Sequence, residues 1–326
     1  MTSQPVEQPE ADCIESVGTS YLQSVEGRVF QGSLKSGGDD LANRTKRIAT
    51  MLAALMVSTS ASLAGGPVDE KLVIDGELEI DTRVPAPEGH PFDELISGWH
   101  YRTDETRDLE ADSFQNPGML YVERGEEIWN TVDGAAGKSC ASCHEDAESF
   151  LKGLGASYPK WNEDAGKPFN IELQINQCRE QNMQAEPYKF DAPDQKALTT
   201  YIKHQSLGMP MHVDLSEGEM QAWWEKGKDL YYTRTGQLNL SCATCHENYN
   251  GSYIRADHLS QGNVNGFPTY RLKQSEMVSL HNRFRGCIRD TRAAFPPAFS
   301  DELMALEVYV TWRGSGLDIE TPAVRQ

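Results

Sequence analysis

The sequence predicts a mainly α chain built from two tandem units related by an internal duplication. Two observations carry that prediction. The pattern Cys-x-x-Cys-His occurs twice, as Cys140-Ala141-Ser142-Cys143-His144 and as Cys242-Ala243-Thr244-Cys245-His246. The flanking sequence repeats with it. At an offset of 102, Tyr121, Glu123, Gly125 and Trp129 align with Trp223, Glu225, Gly227 and Tyr231. Farther on the offset is 109: Tyr158-Pro159-Lys160-Trp161 aligns with Phe267-Pro268-Thr269-Tyr270, and Cys178 with Cys287. Similarity at a fixed spacing marks repetition of a structural unit.

The repeated motif names the chemistry of each unit. Two thiols so spaced add across the vinyl groups of haem, and the adjoining histidine supplies the proximal nitrogen to iron. Zinc is the main rival, but a ribbon of paired cysteines leaves both histidines unexplained and expects a shorter gap. A thioredoxin-like redox pair needs a βαβ setting that the sequence does not present. The expected fold is therefore two tandem cytochrome c-like haem domains, with two covalently bound haem c groups. Cys140, Cys143, Cys242 and Cys245 hold them, and His144 and His246 are the proximal ligands.

Each element follows in order. The segments before the two motifs have helical periodicity, with Gly125 and Gly227 placed for close packing of the first helix against the last. A closing helix follows each repeated cysteine. The start signals are Asp191 or Asp194 in one unit, and Ser300 followed by Glu302 in the other. The expected organisation is 1–43, an extension of doubtful standing; 44–64, a signal peptide; 65–108, an arm or a wrap over the first unit; 109–212, the first haem domain; and 213–326, the second.

The signal rests on Arg44, Lys46 and Arg47 before the uncharged apolar run 48–64, which ends Ser62-Leu63-Ala64. That run is short, and too rich in small polar residues for a membrane span. Export to the periplasm, with no span after cleavage, is the expectation. Cutting after Ala64 removes Cys13 and leaves six cysteines. Acidic residues outnumber basic ones 49 to 30, for a formal charge of −19, which argues against nucleic acid as a partner.

Each iron needs a distal ligand or an open position. Met183, Met209, Met211, Met277 and Met304 are available, but none recurs at the duplication offset, whereas Cys178 and Cys287 do. Thiolate suits iron and lowers its potential relative to methionine, so these two cysteines are the expected distal ligands. A disulfide between them is the alternative.

The two units differ just ahead of that cysteine. Glu172 is matched by His281, Gln174 by Arg283 and Asn176 by Arg285; Arg289 and Arg292 follow. Guanidinium groups bind oxyanions through charge-assisted hydrogen bonds and lower a neighbouring thiol's pKa. Arg283 and Arg285 are read toward substrate, Arg289 and Arg292 toward surface or haem-carboxylate pairing. His281 stays open between carboxylate partner, rival ligand and site wall.

From about Ser97-Gly98 onward the chain resembles the SoxA family, the dihaem subunits of the SoxAX cytochrome complex. The resemblance takes in Glu105-Thr106-Arg107, Phe114-Gln115-Asn116-Pro117-Gly118, both haem motifs, the Cys178 segment and Arg283-Phe284-Arg285-Gly286-Cys287. It implies a periplasmic L-cysteine S-thiosulfotransferase that joins thiosulfate oxidatively to a cysteine of the SoxYZ carrier protein. Two electrons pass through haem to a small cytochrome c acceptor, and the expected partner is a SoxX-type monohaem subunit. By position, Cys287 is implied as the active-site haem ligand, a cysteine that carries a persulfide in the family, and Arg283 as the catalytic arginine. Other classes stay open: a thiosulfate dehydrogenase that makes tetrathionate without a carrier, a plain dihaem electron carrier with methionine or histidine ligands, and a dihaem peroxidase, which wants an exchangeable distal site.

Overall fold

The computed structural model describes residues 67–144 and 147–326; the expected signal at 44–64 and the extension at 1–43, with Cys13, lie outside the described residues. The chain begins with four short strands, β1 (Leu72–Ile74), β2 (Leu78–Ile80), β3 (Arg83–Pro85) and β4 (Glu94–Ile96). Helices α1 (Asp104–Ala111), α2 (Met119–Asn130) and α3 (Ala147–Leu151) follow, then a hairpin of β5 (Lys160–Asn162) and β6 (Lys167–Phe169), and helices α4 (Ile171–Cys178) and α5 (Pro193–His204). Next come α6 (Met220–Tyr232), a minimal hairpin of β7 (Tyr253–Ile254) and β8 (Asp257–His258), and a hairpin of β9 (Thr269–Arg271) and β10 (Glu276–Val278). Helices α7 (Leu280–Asp290) and α8 (Asp301–Arg313) and strand β11 (Ala323–Arg325) complete it. Among the described residues no sheet exceeds three strands, so helices carry the cores. Among the described residues no helix is long and apolar enough to cross a membrane.

Helix starts follow the local chemistry. Ser300 accepts from the Leu303 N–H at the head of α8, Asp301 and Glu302 occupy the first turn, and Arg313 the last. Each charge then faces the favourable end of the helix dipole. Asn170 caps α4 and Ser279 caps α7 in the same way. The start of α5 departs from expectation. It opens at Pro193, whose fixed φ suits a first turn, with Ala192 before it and Asp194 inside. Asp191 serves elsewhere: its carboxylate accepts from Ser279 Oγ at 2.9 Å and Asn282 Nδ2 at 2.8 Å, at the head of α7.

Close helix crossings are set by two glycines. α2 packs on α5, and α6 on α8. A Cβ on Gly125 would overlap the Ala197 carbonyl oxygen, and one on Gly227 the Ala305 carbonyl oxygen. Around the first crossing lies an apolar cluster of Val122, Trp129, Leu151, Tyr158, Leu198 and Tyr201, against which Cys140 packs. Around the second, Tyr231, Val264, Leu280, Leu306, Tyr309 and Val310 gather, with Cys242 against them.

The hydrogen bonds by which the N-terminal arm reaches other segments run largely to the later half of the chain. Gln261 bonds the Ile96 N–H and the Glu94 carbonyl, Asn263 donates to the Ile96 carbonyl, and Asp318 accepts from the Asp81 N–H. Its own small core is Leu72, Ile74, Ile80 and Trp99. Buried His100 ties it together, donating Nδ1–H to the Val68 carbonyl and accepting the Thr82 hydroxyl at Nε2, both at 2.8 Å.

The two halves of the helical body meet at a buried carboxylate. Glu307 on α8 accepts from Asn170 Nδ2 at 2.9 Å, and its Oε2 lies 2.9 Å from His281 Nε2. β11 then returns to pair parallel with β9, Ala323 opposite Thr269 and Arg325 opposite Arg271. The chain end therefore stands in the same small sheet as the β9–β10 hairpin.

Candidate functional site

Both Cys-x-x-Cys-His motifs are held by the same device. Ser139 and Ser142 bond reciprocally, Ser139 N–H to Ser142 Oγ at 2.9 Å and Ser142 N–H to Ser139 Oγ at 3.2 Å. Ser241 and Thr244 repeat it at 3.1 Å in each direction. Such a box satisfies the free N–H groups of a tight turn and fixes the direction of the cysteines it encloses. Burial pushes the Cys140 thiol up to about 11 and the Cys242 thiol up to about 12, so neither is an activated nucleophile as placed.

The second motif is the more completely arranged. His246 Nδ1–H donates to the Ser260 carbonyl at 2.9 Å, which leaves Nε2 as its ligating nitrogen. The Cys287 thiol lies beside this imidazole. Burial raises the thiol's pKa, but Arg283 and His246 outweigh it and hold Cys287 down at about 7. Cys287 is a free thiol, so no Cys178–Cys287 bridge exists.

In the first half, His144 stacks on Phe150 with centroids 3.9 Å apart and lies 5.8 Å from Trp129. Cys178, at the end of α4, receives Gln174 Nε2–H at 3.7 Å. The donor chemistry fits haem c at both motifs. Apolar walls adjoin Cys140 and Cys242, and two hydrogen-bond donors beside them, Trp129 Nε1 and Tyr231 OH, are buried with no partner among the described residues. A haem's carboxylates and ring face would supply what these walls lack.

Other residues sort by position. Arg285 is exposed over the Phe295 ring at 6.0 Å, and Arg289 is exposed beside Asp290. His281 is buried, with Nδ1 accepting the Phe299 N–H and Nε2 against Glu307, so it is a wall of the body and not a ligand as placed.

Three arginines at this end of the molecule went unread in the sequence. Arg313 is buried against Glu247 at 2.8 Å and over the Tyr231 ring. Arg102 donates to the His258 carbonyl at 2.6 Å. Buried Arg271 feels the charges of both Arg283 and Cys287. A signal for Arg271 was present, since at the offset of 109 it stands opposite neutral Asn162.

Known proteins resemble this chain over most of its length. The family model described as SoxA/TsdA, cytochrome c domain, matches residues 124–211. The chain is 69% identical over 276 residues to the L-cysteine S-thiosulfotransferase subunit SoxA of Pseudaminobacter salicylatoxidans, covering 85% of this chain and 96% of that protein. It is 46% identical over 287 residues to the protein of that name from Paracoccus pantotrophus, covering 86% and 98%. The crystal structure of SoxXA from P. pantotrophus superposes with a TM-score of 0.76 at 47% identity, over 80% of this chain and the whole of that one.

Proposed function

The chain belongs to the SoxA family of L-cysteine S-thiosulfotransferase subunits, thiosulfate-oxidising c-type cytochromes, and on that premise we propose that it couples thiosulfate to a cysteine of a SoxYZ carrier in the periplasm. Two tandem cytochrome c units related by duplication carry two haem c groups. One is attached at Cys140 and Cys143 with His144, the other at Cys242 and Cys245 with His246. Cys178 and Cys287 are the distal ligands. A SoxX-type monohaem subunit is the partner and a small cytochrome c the acceptor.

The observation that carries this reading is the approach of Arg283, His246 and the free thiol of Cys287. The Arg283 guanidinium favours thiolate at Cys287, the form in which it is a nucleophile and a ligand. Arg283 has the charge and donor fork to orient a sulfur oxyanion against that sulfur. The carrier thiol gives up one proton, an S–S bond forms to the outer sulfur of thiosulfate, and two electrons leave. The bound haem supplies a one-electron acceptor for that charge.

The test is thiosulfate-dependent cytochrome reduction by the haem-loaded protein, with and without the monohaem subunit and the carrier. Turnover that requires the carrier and falls about a hundredfold or more in Arg283→Ala supports the transferase. Tetrathionate formation without carrier would favour a dehydrogenase instead.

A further inference from the structure

In the first half, three amide side chains close the approach to the repeated cysteine. Asn162, at the end of β5, donates Nδ2–H to Gln177 Oε1 at 2.9 Å. Gln174 donates to the same oxygen at 3.3 Å and reaches Cys178 Sγ at 3.7 Å. The second half keeps the frame, since β9, β10 and the head of α7 stand 109 residues after β5, β6 and the head of α4. It replaces all three amides: Asn162 becomes Arg271, Gln174 becomes Arg283 and Gln177 becomes Gly286.

The last replacement opens a gap. A Cβ built on Gly286 meets no atom within 4 Å. Two neutral donors have become cations, and the acceptor that joined them has been removed. Arg271 has a side chain only 6% exposed, an Nε with no partner among the described residues, and a nearest carboxylate, Asp257, 3.9 Å away. Asp257 is also shared with Lys273 at 3.2 Å. Burial and then repulsion from Arg283 hold Arg271 down at about 10. Arg102 adds a third positive charge, and its N–H groups go to carbonyls of Gly98 and His258, not to carboxylates. In a chain of net charge −19 this local excess of buried cation calls for an external anion.

Building on the thiosulfate reading above, we propose that the gap at Gly286 seats the sulfonate end of the substrate between Arg271 and Arg283, making Arg271 a second substrate-binding residue. Three equivalent acceptor oxygens suit two guanidinium forks, which a single arginine could not saturate. Held by that end, the anion presents its outer sulfur to Cys287, one residue along α7. The same geometry explains selectivity for small oxyanions, because a side chain at position 286 would occupy the seat.

The experiment uses the haem-loaded protein with its monohaem subunit, titrated calorimetrically with thiosulfate, alongside carrier-dependent turnover and the haem reduction potential. Gly286→Gln restores the bridging amide in open space, and Arg271→Gln removes the second fork. Each is expected to weaken thiosulfate binding about tenfold or more and to raise KM correspondingly, with unchanged haem potentials. Arg271→Lys should recover part of the loss. Binding within about twofold of wild type in both glutamine variants overturns the proposal. So does a shift of haem potential in Arg271→Gln with thiosulfate affinity intact, which would assign that guanidinium to the haem edge. Both outcomes leave the functional reading standing; it falls only if the wild-type complex itself fails to oxidise thiosulfate.

Discussion

The imidazole of His246 is locked to the backbone carbonyl of Ser260 at 2.9 Å. This bond sets the tautomer and the plane of the ring, and Gly262 closes the other side. A Cβ there would lie 2.8 Å from the ring Cγ and 2.9 Å from Nδ1, on a backbone with φ of +80°. Gly262→Ala should therefore tilt the imidazole; with His246 as the proposed proximal ligand, we expect carrier-dependent turnover to fall about tenfold and the electron paramagnetic signal of the haem to change. Gly251→Ala is the control. Its φ is +82° but its Cβ meets nothing, so it carries the backbone strain without the ring contact.

Replacing a helical glycine by alanine usually stabilises a helix by about 1 kcal/mol. Gly227→Ala and Gly125→Ala should do the opposite, because the added methyl would overlap a carbonyl oxygen of the crossing helix. We expect a loss of about 1–3 kcal/mol for each, read as a lower thermal midpoint of the haem-loaded protein. Equal or higher midpoints would mean the helix pairs can slide apart at no cost.

Glu307 joins the two halves of the body through Asn170 and His281. Glu307→Ala leaves the buried Asn170 amide without its acceptor and removes the carboxylate facing His281, and should cost about 1–3 kcal/mol in denaturant unfolding. Glu302→Ala, in the first turn of the same helix but exposed, should cost less than about 1 kcal/mol. A similar loss in both would deny the carboxylate its bridging role.

The arm should loosen in acid. Burial, and then the charge of Arg83, hold His100 down at about 4 from its ordinary 6.5. Between those values the unfolded chain binds a proton that the folded arm refuses. The contribution of His100 is thus complete above pH 6.5 and is lost as pH falls toward 4, by about 2–3 kcal/mol at the lower end. Limited proteolysis of residues 67–103 across that window should show rising cleavage. In His100→Gln the slope should flatten, and an unchanged slope would place the acid sensitivity elsewhere.

Much of this was legible in the sequence, for physical reasons. A motif that demands two thiols and an imidazole in five residues cannot be mistaken for packing, and Gly125 and Gly227 announced helix crossings because only glycine lets two helix backbones touch. Ser300 was readable as a cap because its chemistry is local. Asp191 was misread for the opposite reason: its partners, Ser279 and Asn282, are far along the chain, and nothing local reveals them. The arm's bonds to Gln261, Asn263 and Asp318 were hidden in the same way. Arg271 was hidden because it lies in a separate hairpin, ahead of the helix that carries Cys287 and its own cluster of cations. The cation in the neighbouring hairpin becomes visible only once β9 is seen beside α7.

Strand β11 brings the last residues of the chain against β9, with Arg325 opposite Arg271 and its guanidinium tied to Glu110 and Glu320. Trimming residues 323–326 would strip a strand from the sheet that carries Arg271 and leave two buried carboxylates facing each other. What reads on paper as a dispensable tail is therefore both a structural strand and the counter-charge of a buried acidic pair.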